Sequence, residues 1–193
     1  SSAASDFYKR QPYITVSSPL DDVLPGENIA YTLQLVADRV PDYGVVTGTA
    51  TFLPDPDRQP GLSVPVDVAA IVQEDFSRLT PGERLKAPVM RLNETTLDFG
   101  DVNPSTGPVT RTVTISNLGK SPLLIRRVQA SDPGITVKTS STKVRPGKTA
   151  TIEVTIAPDA FPDRQLINSR LTVIANDPVD PTLSLRLIGN YND

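Results

Sequence analysis

Ser140-Ser141-Thr142-Lys143 has the S-x-x-K spacing that lets a lysine amine draw the proton from a serine nucleophile. Lys148-Thr149-Ala150 faintly echoes the K-T-G that accompanies it. That chemistry needs the serine at a helix N-terminus on a much larger scaffold. Here the motif falls between two expected strands, so it reads as a polar β-turn. Asp21-Asp22, Asp55-x-Asp57 and Asp177-x-x-Asp180 could supply oxygen ligands to Ca²⁺. None has the spacing of a calcium loop, and Asp favours turns on its own account. Two carboxylates about 5 to 10 Å apart can hydrolyse a glycoside, but no acidic pair is flanked by the aromatics of a sugar site. The sequence therefore nominates no catalytic, cofactor-binding or metal-binding residue, and the protein reads as a non-enzyme without a cofactor.

Composition narrows the chemistry further. The chain of 193 residues has no His and no Cys, which removes the commonest general base, the thiolate nucleophile, the zinc-thiolate site and the disulfide. Net charge is −3, with 7 basic and 12 acidic residues in 1–90 and 12 basic and 10 acidic in 91–193. The most basic stretch holds Arg126, Arg127, Lys138, Lys143, Arg145 and Lys148. It could meet an anionic polymer or a lipid headgroup. No aromatic is interleaved to stack on bases, so it reads as a solvated strand face, and nucleic acid is not an expected partner. Phe7, Tyr8 and Tyr13 cluster near the amino end, as an exposed contact patch or, the preferred reading, as filling at the edge of a sandwich. Asn93-Glu94-Thr95 is a glycosylation sequon, meaningful only in a eukaryotic secretory pathway. No apolar run reaches the roughly 18 residues of a membrane span. Ser1-Ser2-Ala3-Ala4-Ser5 reads as a start left by trimming rather than a native initiator.

The elements that must position these residues are strands. Ala150, Ile152, Val154 and Ile156 alternate with Thr149, Thr151, Glu153 and Thr155, and Leu183, Leu185 and Leu187 alternate with Ser184 and Arg186. Period-2 alternation marks strands with one buried face. No segment keeps a 3.6-residue period over a helical length. The pattern predicts strands near 89–92, 96–99, 108–116, 122–129, 134–139, 149–157, 167–175 and 182–190, all antiparallel. The expected core is Val113, Ile115, Leu124, Ile152, Val154, Ile156, Leu171, Val173, Leu185 and Leu187.

A repeat organises the chain. Ile14-Thr15-Val16 returns as Ile135-Thr136-Val137, Pro25-Gly26 as Pro146-Gly147, and Asp38, Pro41 and Asp42 as Asp159, Pro162 and Asp163, each 121 positions on. A fixed offset means two copies of one unit. The fold class is all-β, two tandem immunoglobulin-like β-sandwich units. The expected division is 1–72 for the first unit, 73–90 for a polar connector and 91–193 for a second, complete unit. Only 13 residues precede Ile14, so the first unit lacks room for opening strands and is expected to be incomplete. Its uncovered face could be closed by the connector folding back, by a second copy forming a homodimer, or by an upstream segment, the last being favoured.

Four marks carry a family resemblance: Leu97-Asp98-Phe99-Gly100-Asp101-Val102; Thr112 to Gly119 followed by Pro122-Leu123-Leu124-Ile125; Val144-Arg145-Pro146-Gly147-Lys148; and Ala175-Asn176-Asp177-Pro178 with Leu185 to Gly189. Residues 92–191 resemble the bacterial Ig-like domains of the choice-of-anchor or ASH class (abnormal spindle and hydin), and the related domains of Bacteroidetes envelope proteins. The resemblance implies an extracytoplasmic, non-catalytic module, periplasmic, outer-membrane-associated or secreted, and implies no ligand. Read physically, Gly100 and Gly147 suit sharp turns, and Asn117 and Gly119 suit a tight strand-to-strand connection, where Asn and Gly tolerate positive φ. The expected role is protein–protein binding, assembly or domain presentation, with a protein partner. An accessory carbohydrate-binding module and a carboxylate-based hydrolase are the alternatives.

Overall fold

Alternation builds the elements, and pairing sorts them into sheets. The computed structural model describes residues 6–9, 13–17, 28, 30–53, 63–160 and 166–191. The chain divides into two units, Ser1–Val72 and Gln73–Asp193. The fold is all-β and Ig-like; among the described residues the helical elements are the single turn Pro81–Arg84 and three short 3₁₀ turns.

The first unit contains β1 (Asp6–Lys9), β2 (Ile14–Ser17), β3 (Thr32–Leu35), β4 (Gly44–Leu53) and β5 (Val64–Val72). β1, β4 and β5 form one antiparallel sheet with β4 central, and β2 pairs with β3. Ile14 and Ala50 are buried, and the Tyr31 and Phe52 rings meet at 5.0 Å between centroids. β1 was not expected. It is four residues long and has no clean alternation to announce it.

The second unit contains β6 (Met90–Leu92), β7 (Thr96–Val102), β8 (Val109–Asn117), β9 (Leu123–Ala130), β10 (Ile135–Thr139), β11 (Lys143–Val144), β12 (Thr149–Ile156), β13 (Leu166–Ala175) and β14 (Thr182–Tyr191). One sheet runs β10-β12-β8-β6 and the other β11-β9-β13-β14-β7. All but one of these pairings are antiparallel. β7 lies parallel to β14, correcting the all-antiparallel expectation. Alternation sets which face is buried but is silent on strand direction.

The core lies between these two sheets. Val113, Ile115, Ile152, Val154, Ile156, Leu171, Val173, Leu185 and Leu187 are all buried there, together with Met90, Leu97 and Phe99. Each such side chain contributes about 1.5–3 kcal/mol by leaving water. Leu124 is the exception among the expected core residues. It is half-buried, and its neighbours Leu123 and Ile125 point inward. Three consecutive apolar residues hide the phase of β9, and a one-residue slip exchanges its faces.

The two units share ladders at the sequence offset. Ile14 faces Leu35 as Ile135 faces Ile156, and Lys9 faces Ala50 as Ala130 faces Leu171, each position displaced by 121. The 3₁₀ turns Ala37–Arg39 and Pro158–Ala160 obey the same displacement. β1 and β2 therefore correspond to β9 and β10, β3 to β12, and β4 and β5 to β13 and β14.

Candidate functional site

The nominated residues that the structure describes do not converge. Ser141 Oγ accepts from Lys143 N at 3.1 Å and donates to Lys143 O at 2.9 Å, while Ser140 Oγ accepts from Thr151 N at 2.9 Å. The Ser141 hydroxyl closes the exposed turn between β10 and β11, and that of Ser140 fastens the turn to Thr151 of β12, with no helix beneath them. Lys148 closes another turn, donating its N–H to Arg145 O across Gly147. Arg126 is ion-paired to Glu74. Asn93 Oδ1 accepts from Thr114 N at 2.7 Å, so the sequon asparagine fastens the chain to β8. Asp21, Asp22, Asp55 and Asp57, and the side chains of Phe7 and Tyr8, lie outside the described residues; Tyr13 is half-buried. Among the described residues no group of three acidic side chains is placed to hold a metal ion.

Asp177 and Asp180 have different roles. Asp180 is half-exposed and lies 3.6 Å from Arg91. Asp177 is buried, and its carboxylate accepts from the backbone N–H groups of Met90 at 2.8 Å, Val179 at 2.9 Å and Asp180 at 3.3 Å. A carboxylate surrounded by amide donors replaces its lost hydration with fixed dipoles. The local turn was legible in Asn176-Asp177-Pro178. The long reach to Met90 was not.

Asn117 stands at the expected connection and does more than turn the chain. It ends β8 fully buried, with Nδ2 donating to Ser121 O at 2.8 Å and Val144 O at 2.9 Å, and Oδ1 accepting from Gly119 N at 3.0 Å and Val89 N at 3.3 Å. Among the described residues no non-glycine residue has positive φ, nor is Gly119 among the positive-φ glycines. Gly119 serves close approach. A Cβ there would sit 2.3 Å from Ala87 O and 2.5 Å from Pro88 Cα. Gly147 does occupy a turn at φ 69°, whereas Gly100, at φ 67°, lies inside β7 where its register against β14 shifts.

These contacts fasten residues 73–90, expected as a connector, to the second unit. Thr182 Oγ1 donates to Gln73 Oε1 at 3.0 Å, Leu118 N to Val89 O at 2.8 Å and Lys120 N to Ala87 O at 3.2 Å. Within the segment Thr80 and Glu83 form a reciprocal capping box over Pro81–Arg84. Hydrogen bonds from the Thr80 hydroxyl and backbone hold the Glu83 carboxyl below its ordinary value. The Ser77 backbone and hydroxyl do the same for Asp75.

The remaining candidate surface is the sheet edges. In the second unit the edges are short or obstructed: β6 has three residues, β11 two, β10 carries Lys138, and β7 carries Asp98, Gly100 and Asp101. Such devices stop unwanted pairing. In the first unit β5 carries Pro65 and Asp67. β3 reads Thr-Leu-Gln-Leu, with neither charge nor proline, and its partner in the described sheets is β2 alone.

A family model matches the second unit. Residues 88–190 fit the HYDIN/CFA65/VesB-like Ig-like domain. The chain belongs to this family. The matched span opens at Pro88, beside the Gly119 approach, and takes in both sheets of the HYDIN/CFA65/VesB-like sandwich. The ASH-class resemblance read from Leu97 to Val102 and from Thr112 to Gly119 falls within it. Among solved structures, a protein of unknown function from Porphyromonas gingivalis W83 covers 97% of this chain and 85% of its own, with 18% identity and a TM-score of 0.69, which shows a shared fold. PapD-like domain 7 of human CEP192, an ASH / PapD-like domain, matches at 12% identity and TM-score 0.44, covering 64% of this chain and 97% of its own. The E. coli chaperone DraB matches at 12% identity and TM-score 0.41, covering 54% and 55%. No curated protein matches the chain. Among the described residues, no helix of this HYDIN/CFA65/VesB-like protein is long and apolar enough to cross a membrane.

Proposed function

We propose that this protein is a non-catalytic binding module of the bacterial cell envelope, extracytoplasmic, built from two copies of one Ig-like unit and acting through contact with another protein. The working division is 1–72 and 91–193, with 73–90 between them. The observation that carries the reading is the contrast between sheet edges. Those of the second unit bear charges, a bulge or extreme shortness, whereas β3 of the first presents an uncharged strand. An open strand edge is a ready contact surface for another chain. The residues with chemical potential support the same reading, because Ser140, Ser141, Asp177 and Asn117 hold backbone groups in place.

The test uses the intact chain as bait in envelope extract, alongside a broad hydrolase screen. The expected result is saturable capture of one defined envelope protein and no turnover. Turnover that disappears on changing a single carboxylate would overturn the reading.

A further inference from the structure

We infer that the first unit receives an extended segment of another polypeptide, laid as a strand antiparallel to β3 in the register that β8 holds against β12. This rests on the binding-module reading and names the form of the partner.

The second unit supplies the template. β12 is a central strand, with β10 on one side and β8 on the other, and Val154 and Ile156 are fully buried. Their counterparts at the 121-residue displacement are Leu33 and Leu35 of β3. β2 stands where β10 stands, in the same register. No described strand stands where β8 stands, and Leu33 and Leu35 are only half-buried.

The facing sheet records the same vacancy. Leu185 faces Leu171 across the β13–β14 ladder and is 1% exposed; Val66 faces Ala50, the counterpart of Leu171, and is 38% exposed. In the second unit, Val113 and Ile115 of β8 join Val154, Ile156, Leu185 and Leu187 in one core. A strand in the β8 position supplies the part of that core that lies beside β12, as β7, with Leu97 and Phe99, supplies the part beside β14.

The backbone of β3 is oriented to accept that strand. Val36 N donates to Tyr13 O, on the β2 side. Antiparallel strands alternate the side to which successive residues direct their N–H and C=O groups. Thr32 and Gln34 therefore serve β2, and Leu33 and Leu35 direct theirs to the open side. The β5 edge, with Pro65 and Asp67, bears the usual obstacles to pairing, whereas the open side of β3 bears none and corresponds to a side that is paired in the second unit.

Charge selects the occupant. Residues 1–72 carry four basic and nine acidic side chains, a net charge of −5, so a second copy brings charge of the same sign. The template strand β8, Val-Thr-Arg-Thr-Val-Thr-Ile-Ser-Asn, carries one Arg and no acidic residue. The expected partner segment is apolar at alternate positions and neutral or basic between them.

The test is a titration of the full chain with a synthetic peptide of the sequence of residues 108–117. The expected result is saturable binding with slowed hydrogen exchange at the Leu33 and Leu35 amides, while the amides of Ala50 and Val66 report that the unit stays folded. A peptide N-methylated at alternate positions, unable to form the ladder, should bind at least about tenfold more weakly. Leu33→Lys in the full chain should abolish binding of the unmodified peptide, with the β4–β5 amides again reporting folding. Absence of binding, or equal binding of the N-methylated peptide, would overturn the inference. So would a dimer by light scattering, or a natively purified monomer, in which the same two amides are already protected; the first assigns the edge to a second copy and the second to a segment of the same chain. These results leave the binding-module reading standing, since that reading falls on turnover instead.

Discussion

Asp177 Oδ2 accepts a hydrogen bond from the backbone N–H of Met90 at 2.8 Å, across 87 positions of sequence. The same carboxylate holds the loop between β13 and β14 through Val179 N and Asp180 N. One side chain thereby ties the strand that opens the second sandwich to the hairpin that closes it. Asp177→Ala should cost about 2–3 kcal/mol, because buried amide donors lose their acceptor. Urea unfolding measures the loss, and hydrogen exchange should quicken first at Met90. An unchanged midpoint would mean that water replaces the carboxylate at no cost.

β9 offers a test of phase within three residues. Leu123 is fully buried, whereas Leu124 is half-buried. Leu123→Ala should cost about 2–5 kcal/mol, the range for deleting a buried leucine. Leu124→Ala should cost well under half of that. Equal losses in thermal denaturation would show that the assigned face of β9 is wrong.

Gly119 leaves room for the backbone of residues 87–89, and a methyl group there would meet atoms 2.3–2.5 Å away. Neither neighbour is the end of a flexible side chain, so the backbone itself must move. Gly119→Ala is expected to destabilise the second unit by about 1–3 kcal/mol. The Leu118 amide, bonded to Val89 O at 2.8 Å, should lose exchange protection. A stability equal to wild type would refute the close approach.

The Thr80–Glu83 box makes a prediction about pH. The Glu83 carboxyl is held below its ordinary value by the Thr80 hydroxyl and backbone. A depressed folded value means that the box stabilises the segment above the unfolded value, and that this contribution fades as pH falls through the folded one. The carboxyl is fully exposed, so the effect is local. An NMR titration should place the Glu83 midpoint below that of glutamate in an unstructured peptide, and Thr80→Ala should raise it. A midpoint that ignores Thr80→Ala would remove the cause assigned here.

Legibility followed the range of the interaction. β12 could be read residue by residue, because Ala150, Ile152, Val154 and Ile156 alternate without interruption. β9 could be located but not phased, because Leu123, Leu124 and Ile125 offer three apolar positions in a row. The parallel alignment of β7 with β14 left no local trace, since Thr96 and Arg186 meet across 90 positions. The roles of Asn117 and Gly119 were hidden for the same reason; composition points to a turn, and the segment 87–89 that needs them lies elsewhere in the chain. The matching ladders of the two units were legible through the repeat, because Ile14 and Ile135, like Leu35 and Ile156, stand 121 positions apart.

The parallel pairing of β7 with β14 has a mechanical consequence. β7 opens the large sheet and β14 closes the chain of strands, and their ladder runs from Thr96 beside Arg186 to Val102 beside Tyr191. Because both strands run the same way, tension between the start of β7 and the end of β14 pulls them along each other in opposite directions. The ladder is then loaded in shear, with its hydrogen bonds sharing the force, instead of being unzipped one at a time. Tension applied between those two ends therefore meets the hydrogen bonds of the ladder together.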